Sequence, residues 1–283
     1  MDKFKNSSFA VFFRKFPSLI VAGLIYSAIL AFFMSLSILI GRLTGFYNII
    51  VCSLGLIPAN LFLPGLVMVV RKYAVEKEFV PVVKLFFSAV KANIKQFIFH
   101  SFMIYFVITC STFAIIYYGL GAFAGAVFSM VFIIYLLFVM ILTIALFYLP
   151  LMAVTYELRF RDLYKNAMIL VFAALLRNLA ALGYALAISA AAFLAFLYTD
   201  GIVRYIVLGI ITALCPLLIS YGVISIISRS VQDNVGPFVG VEPVSKNKTT
   251  DEDKEAAMHV DSDDDYVFVN GKMIKNPNKE AKQ

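Results

Sequence analysis

Most lysines and arginines of this chain fall between, or after, long tracts that carry no charge. Leu19–Ile40, Phe46–Val70, Leu179–Thr199 and Ile206–Ser228 contain no Asp, Glu, Lys or Arg, and Phe97–Val154 runs for 58 residues interrupted only by His100. An apolar run of about 20 residues is what crosses roughly 30 Å of bilayer hydrocarbon as a helix. A soluble interior seldom needs five such tracts. Composition agrees, with 62% hydrophobic residues, 14% charged and a mean hydropathy of +0.91. The expected fold class is all-α, a polytopic membrane bundle. The basic start (Lys3, Lys5, Arg14, Lys15) resembles a signal peptide, but the apolar stretch behind it exceeds the roughly 7–15 residues of a signal core. A retained first helix fits better.

Phe97–Val154 is too long for one span and must turn. Tyr117-Tyr118-Gly119-Leu120-Gly121-Ala122 combines interfacial tyrosines with helix-weakening glycines and is the expected place. Six spans follow, near 18–40, 46–70, 97–118, 123–153, 179–199 and 203–227, within a transmembrane domain covering 1–228. The basic residues then divide by side. The N-terminal arm, the loop 71–96 and the loop 154–178 hold fourteen Lys/Arg, against Arg42 and Arg204 on the other face. The positive-inside rule places the N-terminus, both long loops and the C-terminal tail in the cytoplasm. The net charge of +7 thus reads as a signal for topology and for anionic lipid. Without aromatic interleaving it does not indicate nucleic-acid binding.

Between the second and third spans the period changes. Val83, Phe86, Phe87, Val90, Ile94 and Phe97 recur every three or four residues, with Lys84, Ser88, Lys91 and Lys95 opposite. This predicts an amphipathic helix over 79–96 lying in the cytoplasmic interface, with Pro81 in its first turn. A second, weaker one is expected to start at Asp162 as N-cap and run past Lys165 toward Arg177. Lys84, Lys91, Lys95, Arg159, Arg161 and Lys165 are accordingly the candidate residues for docking a partner or lipid. Glu157, Arg159, Arg161 and Asp162 read first as a loop ion-pair network. Similar basic helix starts at Arg14-Lys15, Lys95 and Arg177, each followed by a hairpin with proline in its returning helix, hint at three parallel repeats.

Chemistry-bearing residues are scarce. Prolines inside spans free a carbonyl and bend the helix, and in transporters such broken helices line sites near the midplane. Pro58, Pro64, Pro150 and Pro216 are the candidates for a kink or solute path, together with Asn60, an amide in hydrocarbon that needs a partner. His100 is expected near the headgroups. No Asp, Glu, Lys or Arg stands near the middle of any span, which argues against an ion pump or proton-coupled carrier. There is no HExxH, GxSxG or P-loop, and Cys52, Cys110 and Cys215 show no metal-ligand spacing, so neither cofactor nor metal is expected. Residues 229–283 form an acidic tail whose composition predicts disorder up to about 265. Beyond it, Asn270-Gly271 between two apolar runs predicts a hairpin over 266–274.

Gly55-Leu56-Ile57-Pro58-Ala59 through Pro64, followed by Phe86-Phe87 and Lys91-Ala92-Asn93-Ile94-Lys95, resembles the YesL-like family of bacterial membrane proteins. Tyr148-Leu149-Pro150-Leu151 and Lys165-Asn166-Ala167 add to the likeness, which covers roughly 9–228. The chain has one span more than the family's shorter members, and its tail has no counterpart there. The resemblance implies a multi-pass protein of the bacterial cytoplasmic membrane with no established activity. Some members are encoded near carbohydrate uptake systems and their sensor kinases, which implies transporter or sensor-kinase subunits as partners. The leading expectation is a non-enzymatic accessory or regulator of a transport system. A small carrier or channel for a neutral solute, centred on Pro58–Pro64, is the second. A lipid-modifying membrane enzyme using Glu157 or His100 is the third.

Overall fold

A computed structural model describes the backbone of residues 8–121, 125–156, 158–239, 266–269 and 272–275, and side chains within 16–235. The chain is a helical membrane bundle of α1 (Ser8–Thr44), α2 (Ile49–Cys52), α3 (Leu56–Asn60), α4 (Leu63–Arg71), α5 (Val82–Gly121), α6 (Ala126–Thr155), α7 (Phe160–Ala173), α8 (Leu175–Leu197) and α9 (Gly201–Val239). Five helices (α1, α5, α6, α8 and α9) are each long and apolar enough to cross a bilayer. The pair Ile49–Asn60 and Leu63–Glu76, bent by 52°, has the length and composition of a broken sixth span or of a re-entrant loop. In the most apolar windows of the five unbroken spans only 6–28% of residues are buried in the protein. The remainder are partly or fully exposed, which for apolar side chains is tolerable in lipid and unfavourable in water.

The packed core lies toward one end of the bundle. It gathers Leu19 and Tyr26 of α1, the last turns of α6 from Ile144 to Thr155, and Leu217 to Val235 of α9 around α4. Every residue from Pro64 to Ala74 is buried, so α4 is enclosed on all sides. That suits a helix start with almost no polar side chain before Arg71. Glycines permit the closest approaches. A Cβ on Gly55 would stand 2.3 Å from the Phe33 carbonyl oxygen of α1, and one on Gly222 would stand 2.0 Å from the Tyr184 ring of α8. At the opposite end Leu43, Phe46, Leu120, Val127, Tyr198 and Ile202 are exposed.

Three local expectations are corrected. The amphipathic segment is not a separate surface helix. It forms the first turns of the 40-residue α5, because no Gly or Pro interrupts the chain from Val82 to Tyr118. Leu85, Phe86, Ala89, Val90, Asn93 and Phe97 face the core, whereas Val83, Phe87 and Ile94 point outward, so the predicted apolar face is split. Secondly, α7 starts at Phe160, with Arg159 at the cap position and Asp162 in the first turn. Finally, the stretch toward Arg177 is two helices, broken at Ala174 with φ −121° and ψ 40°. Asn178 makes this break, since its Nδ2 donates to the carbonyls of Leu170 at 2.9 Å and Val171 at 2.8 Å.

After Arg71 the chain widens into a π-turn over Lys72–Glu76 and leaves it through Lys77, a non-glycine residue at φ 59°. In the tail, β1 (Tyr266–Val269) and β2 (Lys272–Lys275) pair antiparallel with Val269 opposite Lys272. Asn270, Gly271 and residues 240–265 lie outside the described residues, as does Glu157.

Candidate functional site

The bent pair of α3 and α4 breaks at Leu61-Phe62, and its two prolines show why. Pro58 stands in the first turn of α3 and Pro64 at the start of α4, places where a helix needs no amide hydrogen. They begin two short helices and do not kink one long one. Tight three-residue bonds close the gap: Phe62 N donates to Ala59 O, and Gly65 N to Phe62 O, each at 3.1 Å. Asn60 ends α3 at this bend, 5% exposed, and its Oδ1 accepts from the Tyr26 hydroxyl at 3.0 Å. Its Nδ2 has no partner. A buried, unpaired amide donor costs about 1–3 kcal/mol, so the position is held against a penalty.

Asn60 lines a cleft of about 360 Å³ between the bent pair, α5 and α6. Pro150 lines it too, from inside α6, where its missing N–H leaves the Leu146 carbonyl without the usual helical donor. Ser111, Thr112 and Thr143 add hydroxyls, and the other walls are apolar, among them Leu63, Ile104 and Phe147. Thr112 already donates to the Ile108 carbonyl at 2.8 Å. No charged side chain lines the cleft. The structure thus brings Asn60 and Pro150 together but leaves Pro58 and Pro64 out of the lining. Pro216 is half-buried in α9, beside the contact of Leu217 with Gly23.

The basic residues assemble elsewhere. Lys84, Lys91 and Lys95 are exposed along α5, and Arg159, Arg161 and Lys165 are exposed at the start of α7. An aromatic clasp joins the two sets. Phe99, one turn beyond Lys95, meets Phe160 edge-on at 4.5 Å between ring centres, and Phe160 lies between Arg159 and Arg161. His100 Nδ1 lies 2.7 Å from the Tyr164 hydroxyl, and its ring stacks on Phe160 at 5.6 Å. Burial pushes the Tyr164 phenol above its ordinary pKa, so it stays a protonated partner. The His100 Nε2 has no partner. His100 is 2% exposed, a buried packing residue.

Sequence reasoning missed the strongest electrostatic cluster. Arg71 and Lys72 are 4% and 7% exposed. Arg71 Nη2 pairs with Glu76 at 2.8 Å, while Lys72 pairs with Glu76 and, at 3.0 Å, with Glu78. Opposite charges four to six residues apart at a helix end were the available signal. Arg159, Arg161 and Asp162, expected to form an ion-pair network, make no salt bridge among the described residues. No group of three or more His, Cys, Asp or Glu among the described residues could hold a metal ion. No family model, curated protein or solved structure matches the chain.

Proposed function

We propose that this chain is a non-enzymatic accessory or regulatory component of a transport system in the bacterial cytoplasmic membrane. In this reading both termini and the basic segments face the cytoplasm, and the resemblance to the YesL-like family points to carbohydrate uptake as the system. The observation that carries this reading is the joined basic ledge of α5 and α7. Six exposed cations are held in place by the Phe99–Phe160 and His100–Tyr164 contacts and have no acidic partners within the described residues. A fixed face of six cations, with Asp162 the one described acid beside them, suits an acidic protein surface at the membrane, and it also attracts anionic headgroups.

The cleft at Asn60 supports a sugar path poorly. Four polar side chains amid apolar walls would leave most sugar hydroxyls unpaired. The test is crosslinking in intact membranes, followed by purification in mild detergent. Transporter or kinase subunits should come with the full chain and be lost on combined Lys84→Gln, Lys91→Gln and Lys95→Gln substitution. Recovery of the chain alone from crosslinked membranes overturns the proposal.

A further inference from the structure

The densest opposite charge to the basic ledge lies in the same chain, after α9. Residues 251–265 hold eight Asp or Glu against one cation, Lys254, so almost half of the chain's 17 acids fall within fifteen residues. The end of α9 stands beside the ledge. Arg177, just past α7, donates from Nη1 to Ser230 Oγ at 3.1 Å and pairs with Asp233 at 3.3 Å, which sets the last turns of α9 against the α7–α8 junction. Lys165 stands about 12 Å along α7 from that junction, and α9 runs about 14 Å past Ser230 to Val239. The eleven residues 240–250 can extend to about 36–40 Å, enough for residue 251 to reach Lys165. From Lys84 to Lys95 the ledge runs about 16 Å along α5, well within the span of the fifteen acidic residues.

We propose that the chain's own acidic segment, 251–265, occupies the ledge of α5 and α7, its carboxylates paired with the exposed lysines and arginines there. This rests on the ledge being the docking face argued above, and adds that a partner must displace an occupant already attached to the chain. Ion pairs between exposed groups are individually weak, so the number of charges on each side sets the strength. The tether supplies the rest. Across a linker this short the effective concentration of the segment is about millimolar, which an acidic surface arriving from solution has to outcompete. Contacts of this kind are screened by salt, and the occupancy of the ledge falls as ionic strength rises.

The experiment uses the full chain, one copy in each phosphatidylcholine nanodisc. A zero-length carbodiimide joins a carboxylate to a lysine amine only where the two touch, and mass spectrometry maps the links. Links from 251–265 are expected to concentrate on Lys84, Lys91, Lys95 and Lys165. They should fall several-fold as salt rises from about 0.1 M to about 1 M, where the Debye length shrinks from about 10 Å to about 3 Å. Arg159→Gln combined with Arg161→Gln removes two ledge cations and no reactive amine. It should lower the same links about fivefold, the scale of two exposed ion pairs. Links spread evenly over all lysines, or unchanged in that variant, overturn the proposal. So does protection of the ledge lysines that appears only when phosphatidylglycerol is added, which assigns the face to headgroups. Capture of transporter or kinase subunits without tail links upholds the docking reading and sinks this one, and tail links without capture do the reverse.

Discussion

Tyr148 donates its hydroxyl to Asn178 Oδ1 across 2.6 Å, and that single amide also bonds the two carbonyls at the end of α7. One fully buried side chain therefore ties three helices, α6, α7 and α8, and sets the break at Ala174. All three of its bonding partners in this arrangement are protein groups held in a water-excluded core, where such bonds are strong and their loss is costly.

Asn178→Leu should destabilise the bundle by about 2–4 kcal/mol, since it strands the Tyr148 hydroxyl and two carbonyls. Tyr148→Phe removes one bond and should cost about 1–2 kcal/mol. Thermal unfolding of both variants in the same detergent checks the order. Equal losses would show that the break is held by something else.

Glu76 pairs with two buried cations, Arg71 and Lys72, while the half-buried Glu78 pairs with Lys72. Removing one partner of a buried pair costs about 3–5 kcal/mol. Glu76→Ala should approach that range and Glu78→Ala should fall well below it. Midpoints of denaturation in micelles read the difference, and parity between the two would contradict the pairing described.

Glycine substitutions should separate by helix contact. Gly222→Leu drives into the Tyr184 ring, and Gly55→Ala meets the Phe33 backbone, which cannot rotate away. Each should cost at least the 1–3 kcal/mol typical of overpacking. At Gly183 a Cβ meets nothing within 4 Å, so Gly183→Ala should be neutral or stabilising by about 0.5–1 kcal/mol. Yield and melting temperature of the purified proteins distinguish these outcomes.

Topology is testable with single cysteines in a background lacking Cys52, Cys110 and Cys215. Positions 91 and 161 should react with an impermeant maleimide only after cells are opened, whereas 43 and 198, exposed at the other end, should react in intact cells. The reverse pattern would invert the proposed orientation.

Much of the bundle was legible because the length of a charge-free run is a local property. The spans, the turn near Gly119–Gly121 and the asymmetry of Lys and Arg could each be read residue by residue. Asn60 could also be picked out, since an amide in hydrocarbon calls for a partner wherever it packs. Its partner Tyr26, 34 residues earlier, and its neighbour Pro150 could not be inferred. The same holds for His100 with Tyr164, 64 residues apart, and for the burial of Arg71, which reads in sequence as one more loop cation.

The chain alone therefore determined which segments can enter lipid, because transfer of an apolar segment depends on that segment's own composition. Only the tertiary structure decided which face of each helix packs. In a bilayer the outward face is as apolar as the inward one, so Val83, Phe87 and Ile94 carry the same periodicity as Phe86, Val90 and Phe97 and yet point to the opposite surroundings.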